Sequence, residues 1–532
     1  MTTQKLRRRA GPIGLMFTSM TGMIGSGWLF GAYHAAKLAG PYSIVSWVVG
    51  PVIIMFLALC FSELSPMFPR SGALVHMSHV THGAGLGRIW SWLLFLAYVA
   101  VPPVETEAMV TYANNYLPYF IQPHSNGLLS GTGFAAGVVL ILIFALINML
   151  AIQWFLRINS AITWWKIFVP ILTVIGLLVA AFHPANFSAA PESYSFTGIF
   201  VALPTAGVVF SFFGFRNAID LAGEASRPQR DMPLAVIGST ILAAVIYVLL
   251  QVAFLLALPA GSLANGWGQL SFSGSAGPFA GLAMSAGLSW LAMVLYIDAY
   301  TSPGGTGLIY MTTGSRILTA SGETGTGPHW LTRLSSTGMP WISIGIMWIV
   351  GCLFLMPFPA WQKLVDYITS ITVMTYGIAP VVLLCLRQNV PDYERPFRLR
   401  GAWVIAPIAF ISSNWIIYWV GFSTNLFLFS LIFAGFAIYA LYYHLVARRP
   451  ASEFGWRYIA WLLPWFGGLW VLSWLGGLGG GLGILSFGTE IWVIVIFSLV
   501  VLAIAMASRL PPETTKQMFT DVLKSEIQED VK

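Results

Sequence analysis

Apolar stretches of bilayer length recur from one end of this chain to the other, with few charges inside them. A helix needs about 20 such residues to cross roughly 30 Å of hydrocarbon, and about fourteen segments meet that length, the first at 12–37 and the last at 489–508. Backbone polar groups find no water in lipid, so segments of this length must be helices. Composition agrees: 57% of the 532 residues are hydrophobic and 8% charged, against roughly 25% charged in soluble domains. The expected fold class is all-α and integral to a membrane.

The net charge of +7 does not point to nucleic acid, because Lys and Arg are dispersed singly between apolar segments rather than gathered on one face. They describe topology. With Lys5, Arg7, Arg8 and Arg9 inside, the loops holding Arg70, Arg157, Arg227 and Arg230, Arg316 and Arg333, Arg387 to Arg400, and Arg448 to Arg457 all fall inside as well. The expected outer surface keeps Lys37 and Lys363. Both termini are therefore expected in the cytoplasm, with the chain multi-pass in a plasma membrane or bacterial inner membrane. The first apolar stretch runs past a signal-peptide core and is read as a retained span.

Cys60, Cys352 and Cys385 lie inside apolar runs without metal-ligand spacing, so neither a disulfide framework nor a metal site is expected. His76, His79 and His82 recur every three residues and read as an exposed polar helix face rather than a metal set. No catalytic constellation, phosphate loop or cofactor motif emerges, which argues against an enzyme. The charged segment after Arg509 reads as a solvated, fraying helix.

Two glycine-broken stretches interrupt this pattern: Gly22-Met23-Ile24-Gly25-Ser26-Gly27 in the first span, and Phe210-Ser211-Phe212-Phe213-Gly214-Phe215-Arg216-Asn217 in the sixth. Unwound backbone survives at membrane depth only where it lines a protein cavity or holds a ligand. A matched pair of breaks, one in each half of a repeated bundle, is the best sequence pointer to a transporter's binding site. The first ten spans divide into five plus five, with breaks in spans 1 and 6, buried acids in spans 3 and 8, and halves that start on opposite sides of the membrane. This predicts an inverted repeat within a transport core at 12–386, its halves at 12–182 and 198–386. A cytoplasmic N-terminus at 1–11, four accessory spans at 402–508 and a cytoplasmic tail at 509–532 complete the expected organisation.

At the first break a helix restarting near Trp28 would present free N–H groups and a positive dipole end to a carboxylate. Gly25 and Gly27 allow close backbone approach and Ser26 adds a hydroxyl; close helix packing through Gly22 and Ser26 is the plainer alternative. At the second break, freed carbonyls can accept an ammonium group, and Phe210, Phe212, Phe213 and Phe215 can close over a ligand or simply fill the core. Arg216 in a mid-membrane break demands an anion, either a substrate carboxylate or Asp220 four residues on.

These motifs, with Ser62-Glu63-Leu64-Ser65-Pro66-Met67-Phe68-Pro69-Arg70-Ser71-Gly72 after the second span and Ala222-Gly223-Glu224 followed by Arg230-Asp231-Met232-Pro233, resemble the amino acid-polyamine-organocation (APC) superfamily. The resemblance implies a LeuT-type fold, secondary transport by alternating access, and an amino acid or related amine as substrate. The segment from Gly214 to Glu224 is most similar to the branch of proton-coupled aspartate symporters, which favours aspartate or glutamate as substrate. A carrier of neutral or cationic amino acids or polyamines, an exchanger, and a non-transporting sensor are the alternatives. The family pattern places substrate at Met23, Ile24, Gly25, Ser26, Gly27, Phe210, Ser211, Phe213, Gly214, Phe215 and Arg216, with proton, lipid and amino acid as partners.

Lys166 in span 5 matches a lysine that some proton-coupled relatives use. A buried amine can exchange a proton within the cycle and stand in for a bound sodium; a lysine snorkelling to the cytoplasmic surface is the alternative. Asp298, deep in span 8, is a second coupling candidate or a partner for Lys166 or Arg216. Glu105 and Glu107 in span 3 point to nearly opposite sides of a helix, and the sequence gives no preference between them.

Overall fold

The computed structural model describes residues 11–68, 73–123, 127–150, 152–220, 225–259, 261–274, 277–323, 327–336, 338–356, 360–441, 445 and 455–531. Outside this set lie Lys5 to Arg9 and almost all of the expected 1–11 terminus, Arg70 to Gly72, Leu221 to Glu224, and Arg448. Among the described residues the chain is helical, with one isolated bridge between Ile121 and Leu129 and no named strand. Nine helical stretches there are long and apolar enough to cross a membrane, and the bent pair Phe196–Thr205 and Phe210–Asp220 makes a tenth.

The broken first span comprises α1 (Pro12–Met23) and α2 (Ser26–Ala39), followed by α3 (Ser43–Leu64), α4 (Ala73–Val99) and α5 (Val101–Ala113). Pro12 opens α1 where its missing N–H is no loss. Then come α6 (Gly131–Asn148), α7 (Ile152–Ala180), α8 (Phe196–Thr205), α9 (Asn217–Asp220) and α10 (Pro228–Ala257). The chain continues through α11 (Pro278–Ser285), α12 (Ser289–Glu323), α13 (Trp341–Phe354), α14 (Trp361–Tyr376) and α15 (Ile378–Asn389). The remaining helices are α16 (Ala402–Trp419), α17 (Phe422–Leu441), α18 (Trp456–Ile459), α19 (Leu462–Leu475), α20 (Phe487–Ala507) and α21 (Pro512–Val531). The most apolar window of Trp361–Asn389 is wholly buried, whereas a third of that in α6 or α20 is, which places α14 and α15 at the centre and α6 and α20 at the periphery.

Buried polar side chains tie the centre to the later helices. The Asn425 amide on α17 donates to the Ile417 carbonyl (2.7 Å) and to Ser473 Oγ (2.9 Å), and accepts from Ser370 Oγ on α14 (3.0 Å). Asn414 of α16 joins Ser498 of α20 and the Trp465 indole of α19. At the end of α3, the fully buried Glu63 accepts from Arg387 Nε (3.0 Å) and Nη2 (2.6 Å) and from the Leu399 N–H (2.7 Å), and pairs with Arg395 at 3.1 Å.

Two expectations for the polar segments are overturned. His82 is fully buried rather than on an exposed face, its ring bonded to Thr81 and to the Ala505 carbonyl (3.0 Å each), because α4 packs against the end of α20 there. The segment after Arg509 is docked by one face rather than fraying, through Thr515 and Phe519, while most of its other described side chains are exposed as expected. Phe519 of α21 is buried edge-on against Phe68 and Tyr393, and Asn389 donates to both Leu510 O and Thr515 Oγ1. Truncating a packed Phe to Ala costs about 3–5 kcal/mol. Phe519→Ala is accordingly expected to expose the tail to limited proteolysis while the membrane core stays resistant, as read by mass spectrometry of the fragments.

Candidate functional site

Both predicted breaks are present. Helix α1 ends at Met23; Ile24 (φ −85°, ψ 80°) and Gly25 (φ −115°, ψ −141°) leave helical geometry, and α2 restarts at Ser26, two residues before the expected Trp28. In the sixth span α8 ends at Thr205, the chain turns at Gly207 (φ 81°), and a 3-10 turn over Phe210–Arg216 leads into α9, with the two parts bent by 49°. The pivot therefore lies just upstream of the Phe210–Asn217 stretch. Gly207 follows Pro204 closely, and that pair is the signal for it.

The two breaks touch. A Cβ on Gly214 would overlap the Gly22 carbonyl carbon and the Met23 nitrogen, and one on Gly22 would overlap the Asn217 amide. A Cβ on Gly27 would collide with Ser211 Oγ. These glycines are required by close approach, which is the small-residue packing reading of the first break.

Freed carbonyls must find donors at this depth. Thr21 O accepts from Lys166 Nζ (2.7 Å) and Thr306 Oγ1 (2.9 Å), Met23 O from Tyr247 (2.8 Å), Phe213 O from Tyr376 (2.8 Å), and Phe215 O from Ser19 (2.9 Å). Tyr247 also lies 3.4 Å from Ser211 O, bridging the two breaks. Thr306, Tyr247 and Tyr376 were not apparent as site residues from sequence, since single hydroxyls in long apolar helices carry no pattern.

The ionisable candidates converge on the first break unequally. Lys166 is fully buried and reaches Thr21 O and Thr306 Oγ1 (2.9 Å), which excludes a snorkelling side chain. Glu105, also fully buried, accepts the Ser26 N–H at 2.8 Å, so its carboxylate caps the first turn of α2. Glu107 turns instead to Thr111 on its own helix at 3.4 Å. Asp298 accepts from the Trp165 indole (2.8 Å) and Ser302 Oγ (2.7 Å) and forms no ion pair with Lys166 or Arg216 among the described residues.

Arg216 lies at the second break with Nε 3.5 Å from Asp220 Oδ2, which also accepts from the Tyr98 hydroxyl. Its guanidinium lies over the rings of Tyr98 (4.4 Å) and Tyr376 (5.0 Å), and none of its three nitrogens has a hydrogen-bond partner among the described residues. Phe215 packs on Phe61 and Tyr376, Phe213 on Tyr376 and Phe210, and Phe210 also meets Trp361. Trp361 also donates to Ser26 Oγ (2.9 Å) and stacks on His34, covering the first break from the α14 side.

Residues 11–466 match the family model for amino acid permeases. The chain is 38% identical to the glutamate/serine transporter AimA of Bacillus subtilis (strain 168), covering 96% of each chain. It is 32% identical to an aspartate-proton symporter of the same organism, covering 93% of this chain and 96% of that one. It is 24% identical to the branched-chain amino acid permease BcaP of that organism over 82% of this chain. A protein with this helical architecture, two broken spans in contact and a match of this extent belongs to the amino acid permease family of the APC superfamily, multi-pass membrane transporters of LeuT-type fold rather than enzymes.

Proposed function

We propose that this protein is a proton-coupled importer of acidic amino acids, aspartate or glutamate, working by alternating access from a plasma or bacterial inner membrane with both termini cytoplasmic. The observation that carries this reading is the meeting of the two breaks, with the N–H end of α2 on one side and the buried Arg216 on the other. The substrate α-carboxylate takes the α2 terminus, where backbone N–H groups and dipole favour an anion. The ammonium lies toward the carbonyls of Ile24 and Ser211, and Arg216 offers Nη1 and Nη2 to the side-chain carboxylate while Nε keeps Asp220. Lys166, held to Thr21 O and Thr306, places a fixed cation between the first span and α12. Two relatives, described as a glutamate/serine transporter and an aspartate-proton symporter, support the acidic class. The division into a ten-helix core at 12–386 and four accessory helices at 402–508 belongs to the same proposal.

Asp220 favours a second reading. An arginine already balanced four residues along its own chain leaves room for a small neutral substrate, and one relative is described for serine as well as glutamate. Uptake of labelled aspartate into proteoliposomes, with and without an inward proton gradient and against unlabelled glutamate, serine, leucine and arginine, separates the readings. A sensor would bind without accumulation. Arg216→Gln is expected to lower aspartate uptake about 10- to 100-fold while sparing serine, matching the loss of about 1.5–3 kcal/mol for a hydrogen bond to a charged group. Equal losses for both substrates would assign Arg216 to structure.

A further inference from the structure

We infer that Glu105 is a resident competitor for the seat of the substrate's α-carboxylate, and that its displacement is what loads a proton with each substrate. The inference rests on the transport reading above. Glu105 Oε2 accepts the Ser26 N–H at 2.8 Å, at the end of a 14-residue helix, where that reading seats the substrate. Its Oε1 is buried without a hydrogen-bond partner among the described residues and lies 2.7 Å from where a Gly25 Cβ would be, so the carboxylate fills the space left by the missing side chain. Thr306 Oγ1 stands at the same 2.7 Å from that point, and Thr306 in turn accepts from Lys166.

One helix end cannot hold two ionised carboxylates, since like charges at a shared site disfavour joint ionisation. When the substrate carboxylate arrives, Glu105 gives up the Ser26 N–H and takes a proton from the outer solution. The neutral acid then has an O–H to donate toward the substrate. When substrate leaves to the cytoplasm, Glu105 returns to Ser26 and the proton is released on that side. One proton thus moves inward per substrate, and no other reactant is needed. The ionisable groups acting on Glu105 from the packed helices are Lys166 of α7, Tyr247 of α10 and Tyr310 of α12. Lys166 is engaged by Thr21 O and Thr306 and makes no ion pair with Glu105 among the described residues, so it can stay charged throughout the exchange. Glu107, facing Thr111, takes no part.

The test is equilibrium binding of labelled aspartate to the purified full-length protein from about pH 5 to about pH 9, where uptake of one proton with substrate changes affinity by up to about tenfold per pH unit. The wild type is expected to bind more weakly as pH rises. Glu105→Gln, with no charge to expel, is expected to bind about tenfold tighter or better at the alkaline end, with affinity nearly independent of pH. In proteoliposomes it is expected to exchange labelled for unlabelled aspartate but not to accumulate it on a proton gradient. Glu105→Asp, one methylene short of Ser26, is expected to bind tighter than wild type while keeping the pH dependence. A Glu105→Gln protein that retains the wild-type pH slope overturns the inference. If that variant fails to fold, Glu105→Asp decides: weaker binding than wild type at every pH overturns it. A wild type that binds no amino acid would sink the transport reading instead, independently of Glu105.

Discussion

Gly214→Ala is expected to reduce amino acid uptake to below about 1% of wild type, the scale on which small misplacements of reacting or binding groups act. The added methyl would overlap the peptide joining Gly22 to Met23, and both colliding atoms are backbone. A flexible side chain could step aside; a main chain whose carbonyls are already held by Lys166, Thr306 and Tyr247 cannot. Overpacking of this kind costs typically about 1–3 kcal/mol. Here the strain falls on the contact between the two breaks, so function is lost before the fold is. Gly304→Ala is the control: apart from its own turn of helix, no heavy atom of the described residues lies within 4 Å of its added methyl, and uptake and expression are expected to match wild type. Measuring uptake alongside the detergent-solubilised yield separates the two effects.

Glu63→Ala is expected to be the most destabilising single change around the end of α3. Its buried carboxylate is shared by Arg387, Arg395 and the Leu399 N–H, so removal leaves two guanidinium groups and an amide without their common acceptor. Breaking a buried ion pair by deleting one partner costs about 3–5 kcal/mol. Arg387 keeps a bond to Leu399 O and Arg395 keeps several to nearby carbonyls, which holds the effect within that range. Thermal unfolding in detergent is the measurement, and Glu63→Gln, which retains the shape and an acceptor, is expected to fall between Glu63→Ala and wild type.

The sequence made the membrane helices, the two breaks and the buried ionisable residues readable, because hydrocarbon punishes charge and unpaired backbone severely enough to leave a pattern. Lys166 and Asp298 stood out for that reason, and both are buried. The choice between Glu105 and Glu107 was not readable. Two residues apart on one helix, they are separated by which neighbour each meets, and Ser26 comes from another span entirely. The Gly207 pivot was hidden by the richer Phe210–Asn217 stretch, although Pro204 and Gly207 together weaken the helix there. Trp361, Tyr247 and Tyr376 read as ordinary filling of long apolar helices, since the polar atom of each matters only through a carbonyl or hydroxyl supplied by a distant segment. The docking of α21 escaped for a similar reason: one aromatic in a charged tail signals nothing until Phe68 and Tyr393 close around it.

The anchoring of Ser370 through Asn425 to Ile417 and Ser473 gives α14 a mechanical role. One of these buried hydrogen bonds starts on α14, from Ser370 to Asn425, and the other two fasten Asn425 to α16 and α19, so α14, which carries Trp361 and Tyr376, is tied through a single side chain to a cluster of three later helices. Under the alternating-access proposal, the rocking that admits or discharges cargo is expected of the paired, glycine-hinged segments, with this cluster as the frame they rock against.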